Sequence, residues 1–384
     1  MVVQNRRVDL DWLRVVCIVG VHLFHVGMFF NSWEWHVKSP SPLPSLEIPM
    51  EVMHMVRMPL LMLIAGAATA LALGRRSLGA FAVERVKRLL WPLVFAIFLV
   101  VPPQIYAERV WRGQFHGSYA AFWPSVLDFV SYPKGSFSWH HLWFVAYLFT
   151  FCLLALPLFA WFRGERGRAF LARAERFLAR GANLWWLALG IFGGRFLLRD
   201  FPETHDLVRD PKTLVFFGGL FLAGHLLGRM PALEARLVEL RRAHTVLFCV
   251  LLPLALVNDA LPMPLGHLAY YGAIWAFLCA ALGHARHRLR KEMPWLRHAQ
   301  SLAYPFYILH QTVIVVLGWR LLPLGWGPWA MLGVLLPGSF LVTWGLCEGV
   351  ARVAWLRPCL GMGPIPRRPG ATTSVDGIMP EEAS

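Results

Sequence analysis

Acidic side chains are scarce in this chain: 22 Asp and Glu stand against 37 Lys and Arg, a formal net charge of +15 over 384 residues. Such a balance raises the question of a nucleic-acid partner, but no RNA- or DNA-reading motif accompanies it. Cysteine is sparse as well. Its six copies (17, 152, 249, 279, 347 and 359) are scattered without a CxxC pair. That pattern argues against a disulfide framework or a metal centre and reads as small core residues. The first apolar run has no small-residue cleavage site behind it, so it reads as a retained helix. No internal repeat and no second soluble domain is evident.

Apolar residues are abundant. Hydrophobic side chains make up 57% of the chain, 18 residues are Trp, and mean hydropathy is +0.51. The fold class this implies is all-α: a polytopic membrane bundle of about ten helices. Ten apolar stretches fall at 12–30, 51–73, 89–106, 142–162, 184–198, 214–228, 245–261, 264–283, 301–322 and 328–350. Most reach the roughly 17–25 residues a spanning helix requires; the fifth to seventh are shorter or interrupted. Basic clusters at Arg6/Arg7, Arg75/Arg76, Arg85–Arg88, Arg163–Arg180, Arg229–Arg242, Arg286–Arg297 and Arg352–Arg368 alternate with the stretches. This positive-inside bias predicts that both termini are cytosolic. Residues 1–358 form one membrane domain in this reading, and the Gly- and Pro-rich segment 359–384 a disordered cytosolic tail. The run RGERGRAFLARAERFLARG spaces Arg and apolar residues as an amphipathic helix on the anionic leaflet would. The segment Ala107–Trp139, with Trp111, Trp123 and Tyr132, suits an aromatic belt or a surface for sugar rings.

Four groups of polar residues lie within or beside these stretches. Arg14 and His25 are eleven residues apart, close to three helical turns, so they share one stripe about 16 Å apart along the axis. A titratable group that deep in hydrocarbon needs a polar cavity or a partner. His25 is either a proton acceptor for a hydroxyl or a hydrogen-bonded core residue, and Arg14 either a phosphate ligand or an anchor. In SLAYPFYILHQ, His310 lies near the depth of His25, with Tyr307 one turn before it. They form a relay, or a polar patch joining helices. Glu51, His54 and Arg57 share one face of the second stretch, where Glu51 is expected to neutralise Arg57. Arg57 is a candidate for an outer acceptor or for developing negative charge. His140, His141 and Trp143, in SWHHLWF, stand at the outer mouth of the fourth stretch, as interface anchors or acceptor contacts.

Taken together, these motifs resemble the acyltransferase-3 family of integral membrane acyltransferases. LDWLRVVCIVGVHLFH looks like the family's R-x10-H pattern at Arg14 and His25. RMPLLMLIAGAATAL, FAVERVKRLLWPL, HHLWFVAYL and SLAYPFYILHQTVIVV are similar to later signatures. VVPPQIY and PFYILHQ look most like the family's glucan succinyltransferase branch. The chain departs from the pattern at Ala65, where relatives often carry a Ser-Gly pair. The resemblance implies a ten-helix domain in the bacterial cytoplasmic membrane. It would move a succinyl, acetyl or longer acyl group from cytosolic acyl-CoA to a carbohydrate hydroxyl outside. It also implies His25 as the catalytic histidine with Arg14 its companion, and Arg85 and Arg88 as donor ligands. Tyr307, His310 and Arg57 remain candidates for oxyanion contacts, and His141 and Trp143 for the acceptor. No tightly bound cofactor and no metal is expected. Two other classes fit intramembrane His and Arg. One is a proton-coupled transporter or flippase, though no inverted repeat supports it. The other is a b-type haem protein ligated by His25 and His310.

Overall fold

The computed structural model describes residues 6–74 and 76–364; the greater part of the expected tail, from 365, and Arg75 lie outside them. The described residues are helical, with no strand among them. The helices are α1 (Val8–Phe30), α2 (Glu47–Leu73), α3 (Leu78–Trp111), α4 (Trp143–Leu154), α5 (Leu156–Arg163) and α6 (Glu165–Leu178). They continue with α7 (Trp185–Leu197), α8 (Pro211–Leu227), α9 (Pro231–Leu256), α10 (Met263–Arg288), α11 (Pro294–Leu321) and α12 (Pro328–Arg352). Six of the described helices are long and apolar enough to cross a membrane, and the count reaches eight if the bent pairs α4–α5 and α8–α9 are one span each. The sixth and seventh expected stretches fall on α8 and α9, which meet at 103°. Most of the basic residues between those stretches are helical too: Arg229 lies in the turn, and α9 starts at Pro231 and carries Arg236, Arg241 and Arg242 in its first half. The fifth stretch is the 13-residue α7.

Local chemistry sets several boundaries. Ser77 caps α3, its Oγ accepting from Ala80 N. Asp9 and Asp11 occupy the first turn of α1, where acids suit the helix dipole. They also tie down the arginine-rich end of the bundle. Arg7 bonds Asp9 and Glu234, Arg6 bonds Asp11 and Glu292, and Arg286 reaches both Asp9 and Glu234. α6 forms where the amphipathic helix was expected. Leu171 and Leu178 pack inward, while Phe170 and Phe177 face out.

Without a water-driven hydrophobic effect between spans, tight helix crossings need small residues. α2 and α8 cross backbone to backbone on this basis. A Cβ on Gly66 would sit 2.0 Å from Phe221 O, and one on Gly224 1.9 Å from Leu63 O. α2 thereby becomes a fixed wall shared by two cavities, one at each end of the bundle. The first residues of the expected tail lie against the bundle: Leu360 is buried and Gly361 abuts Tyr304.

Candidate active site

His25 and His310, 285 positions apart, meet where α1 packs on α11: His25 Nδ1 lies 2.7 Å from His310 Nε2. His310 Nδ1 lies 2.7 Å from the Tyr307 carbonyl, which can only accept, so Nδ1 carries the proton. Neutral His310 then accepts at Nε2, and His25 donates from Nδ1. The lone pair of His25 is therefore on Nε2, and no hydrogen bond reaches that atom among the described residues. A histidine held in one tautomer by its other nitrogen is arranged to take a proton.

Three sets of contacts fix α11 in register. Tyr307 donates its hydroxyl to the His141 carbonyl, and His141 Nε2 donates to Ile308 O at 3.0 Å. One turn further along the same stripe of α11, Gln104 Nε2 donates to Thr312 Oγ1 at 2.6 Å, Gln311 Nε2 to Gln104 Oε1 at 3.0 Å, and Thr312 Oγ1 to Val100 O at 2.6 Å. The Tyr307 hydroxyl is committed to His141, so its contribution is through its carbonyl and ring. His141 is buried as part of this clamp. Trp143 packs on His205 (ring centroids 4.4 Å) and Phe217 (5.0 Å). Neither His141 nor Trp143 lines the aromatic cavity described below.

At the arginine-rich end a cavity of about 480 Å3 opens beside Arg14, Arg85, Arg88 and Arg357 and runs inward to Tyr307. Ala65 and Ala68 of α2 line it, so the small residue at 65 leaves room. A π turn at Val86–Leu90 re-aims Arg88. Glu84 binds Arg85, Arg88 and Arg76, but Arg85 Nε is buried without a partner. Arg14 makes only a 3.5 Å contact with Asp11. Pro305, with no N–H to offer the preceding turn, lines the same cavity beside Ser301 and Tyr304. Arg357 is held by its bonds to Gly363 O and Ala351 O, both 2.6 Å. Nothing in the local pattern marks Arg357 beyond membership of a basic cluster.

A second cavity, of about 530 Å3, lies at the opposite end. Trp33, Tyr270 and Tyr271 supply flat rings, and Glu51, His54 and Arg195 supply polar groups. Phe24 separates it from His25, with centroids 5.5 Å from His25 and 5.8 Å from His54. Arg57 lies over Phe24 at 3.4 Å. The expected Glu51–Arg57 pairing is not what forms. Glu51 faces the cavity, and Arg57 Nε and Nη1 are buried without a partner. Cation–π contact with Phe24 compensates the guanidinium only in part. Arg57 thus presents unpaired N–H groups within electrostatic range of both His25 and Tyr307. His22, on the turn before His25, turns away to Ser339 of α12 at 3.2 Å.

The loop after α1 roofs the histidine pair. Trp35 stacks over His25 at 6.3 Å and 8°. His36 Nδ1 is 2.7 Å from Glu108 Oε2, and Tyr132 donates to Glu108 Oε1 at 2.8 Å. Burial, reinforced by Glu108, pushes the Tyr132 phenol up, which keeps it a donor. His36, Glu108 and His140 bring possible metal-ligand atoms within 4.8 Å of one another. Glu108 is already shared among His36, Tyr132 and Arg112, and the rings of His36 and His140 stack at 4.5 Å and 11°. The grouping works as a clamp on the loop.

The family described as acyltransferase domain (acyltransferase-3) matches residues 7–348. Glucans biosynthesis protein C of Salmonella schwarzengrund (strain CVM19633) is 26% identical over 251 residues, 63% of this chain and 63% of that protein. The same figures hold for Glucans biosynthesis protein C of Salmonella typhi, and that of Salmonella paratyphi A (strain ATCC 9150 / SARB42) is 25% identical over the same span. The match thus covers about 63% of the length of these curated relatives. No solved structure matches. With nearly its whole length matched, this multi-pass membrane chain belongs to the acyltransferase-3 family.

Proposed function

We propose that the protein transfers an acyl group, succinyl or acetyl, from acyl-CoA to a carbohydrate hydroxyl across the bacterial cytoplasmic membrane. The observation that carries this reading is a tautomer-fixed histidine pair lying between two cavities of opposite character. In this reading both termini and the arginine-rich end are cytosolic, and the aromatic cavity is extracytoplasmic. The CoA phosphates rest on Arg85, Arg88, Arg14 and Arg357, and the pantetheine arm extends along the cavity past Tyr307. The acceptor sugar lies against Trp33, Tyr270 and Tyr271.

His25 Nε2 removes the hydroxyl proton as the acceptor oxygen attacks the thioester carbonyl. Its imidazolium is stabilised by donation from Nδ1 to His310 Nε2. The tetrahedral oxyanion meets the unpaired N–H groups of Arg57. Collapse breaks the C–S bond, and the departing thiolate takes the proton from His25. The products are the ester and free CoA. The same histidine also suits a route through an acyl-imidazole, with two transfers in place of one.

The relatives are named for glucan biosynthesis, so glucans head the candidate acceptors. Mass spectrometry of envelope and secreted glycans from a deletion strain, complemented with wild type or His25→Ala, tests the reading. An acyl mass restored by wild type alone supports it and identifies both groups. Glycans identical in all three strains refute carbohydrate acylation.

A further inference from the structure

A third cavity opens sideways from the bundle. α7 has 13 residues, about 20 Å of helix, beside the 26-residue α10. It is too short to cover its neighbour through a hydrocarbon layer of about 30 Å. The gap is a groove of about 540 Å3 walled by apolar side chains, among them Trp186, Leu189 and Leu268, which are 58%, 60% and 71% exposed. The groove and the aromatic cavity share two residues, His267 and Tyr271.

Tyr271 is the hinge between apolar and polar surroundings. Its ring stacks on Phe192 of the groove at 5.0 Å and 21°, while its hydroxyl accepts from Arg195 Nε at 2.5 Å. Arg195 in turn binds Glu203 at 2.7 Å and lines the aromatic cavity. A molecule seated across this junction needs a hydrocarbon part on one side of Tyr271 and a hydrogen-bonding part on the other.

We propose that the acceptor is an amphiphile, a sugar carried on a long hydrocarbon tail. It enters laterally between α7 and α10 with the tail in the groove and the sugar in the aromatic cavity. This rests on the acyl-transfer reading for the fate of the sugar, but the binding site itself does not. A phospholipid also has an apolar and a polar part, but it brings no sugar ring to lie against Trp33, Tyr270 and Tyr271.

The test uses the full chain in phosphatidylcholine nanodiscs with hexadecyl maltoside bearing a photoreactive group in its tail. Gly193 lines the groove, and a Cβ there meets nothing within 4 Å, so Gly193→Leu places added bulk in the groove from an unobstructed backbone position. Labelling is expected to concentrate on the peptides of α7 and the first half of α10. Unlabelled hexadecyl maltoside should displace it, hexadecylphosphocholine should not, and Gly193→Leu should lower it at least fivefold. Labelling spread over all lipid-facing helices, equal displacement by the phosphocholine, or an unchanged Gly193→Leu overturns the proposal. Transfer from acyl-CoA to hexadecyl and methyl maltoside separates the two claims. Equal rates overturn the amphiphile site and leave acyl transfer standing. Groove-specific labelling without transfer to either sugar upholds the site and counts against the acyl-transfer reading.

Discussion

His310 holds His25 through one hydrogen bond of 2.7 Å, and the Tyr307 carbonyl fixes the direction of that bond. The roles are therefore unequal: His25 exposes a basic nitrogen, and His310 orients it.

The inequality is measurable. His25→Ala should lower kcat by about 10²–10⁴-fold, the usual contribution of a positioned base. His310→Phe removes the acceptor for His25 Nδ1 and should also cost activity, whereas His310→Gln keeps an oxygen there and should recover much of it. Steady-state rates on purified protein, with folding checked by size-exclusion chromatography, decide the matter. Equal loss in the Gln and Phe variants would contradict an orienting role.

Arg57 behaves as a cation waiting for an anion. Two of its nitrogens are buried without partners, and no carboxylate pairs with it among the described residues. Arg57→Met should lower kcat about 10²–10³-fold, as loss of an oxyanion donor does. It should leave the melting temperature unchanged or raised, because an uncompensated buried charge is costly. A lower melting temperature with normal kcat would mark the residue as structural.

Arg85 and Arg88 differ in exposure, with side chains 17% and 50% accessible. If both hold CoA phosphates, Arg85→Gln should raise the KM for acyl-CoA by roughly tenfold or more, from about 1.5–3 kcal/mol for a hydrogen bond to charge. Arg88→Gln should do less, since solvent screens it. Both effects should shrink at high salt, with kcat little changed. Dephospho-CoA donors give an independent check.

Asp210 caps α8 and anchors the loop under Trp143. Its carboxylate accepts from Thr204 N, His205 N and Thr213 N, each at 2.8 Å. Burial alone would raise its pKa, but the Thr213 bond, with those of His205 and Thr204, holds it below the ordinary carboxylate value. A depressed folded pKa stabilises above the unfolded value of about 3.9 and is lost as pH falls through the folded value. Asp210→Ala should cost about 1–2 kcal/mol near neutrality and flatten the acid limb of the stability profile. Thermal melts in detergent across pH report both.

The polar residues inside apolar runs were legible because burying them is expensive, and Arg14, His25, Arg57, Tyr307 and His310 all carried that signal. The aromatic cavity was harder to read. Tyr270 and Tyr271 look like any interfacial pair, and Arg195 like a helix-end anchor, until α7 and α10 bring them together. His141 and Trp143 read equally as interface anchors or acceptor contacts, and in the structure His141 holds α11 while Trp143 packs on His205.

The chain's own composition determined that it is a helical membrane protein and which residues would be costly to bury, because hydropathy and charge act locally along the chain. It did not determine which costly residues meet. The His25–His310 bond, the unpaired state of Arg57 and the junction at Tyr271 depend on how helices distant in sequence cross. Close glycine contacts accompany such crossings, Gly318 of α11 against Phe29 of α1 and Gly66 of α2 against Phe221 of α8, and only the tertiary structure decides which helices meet.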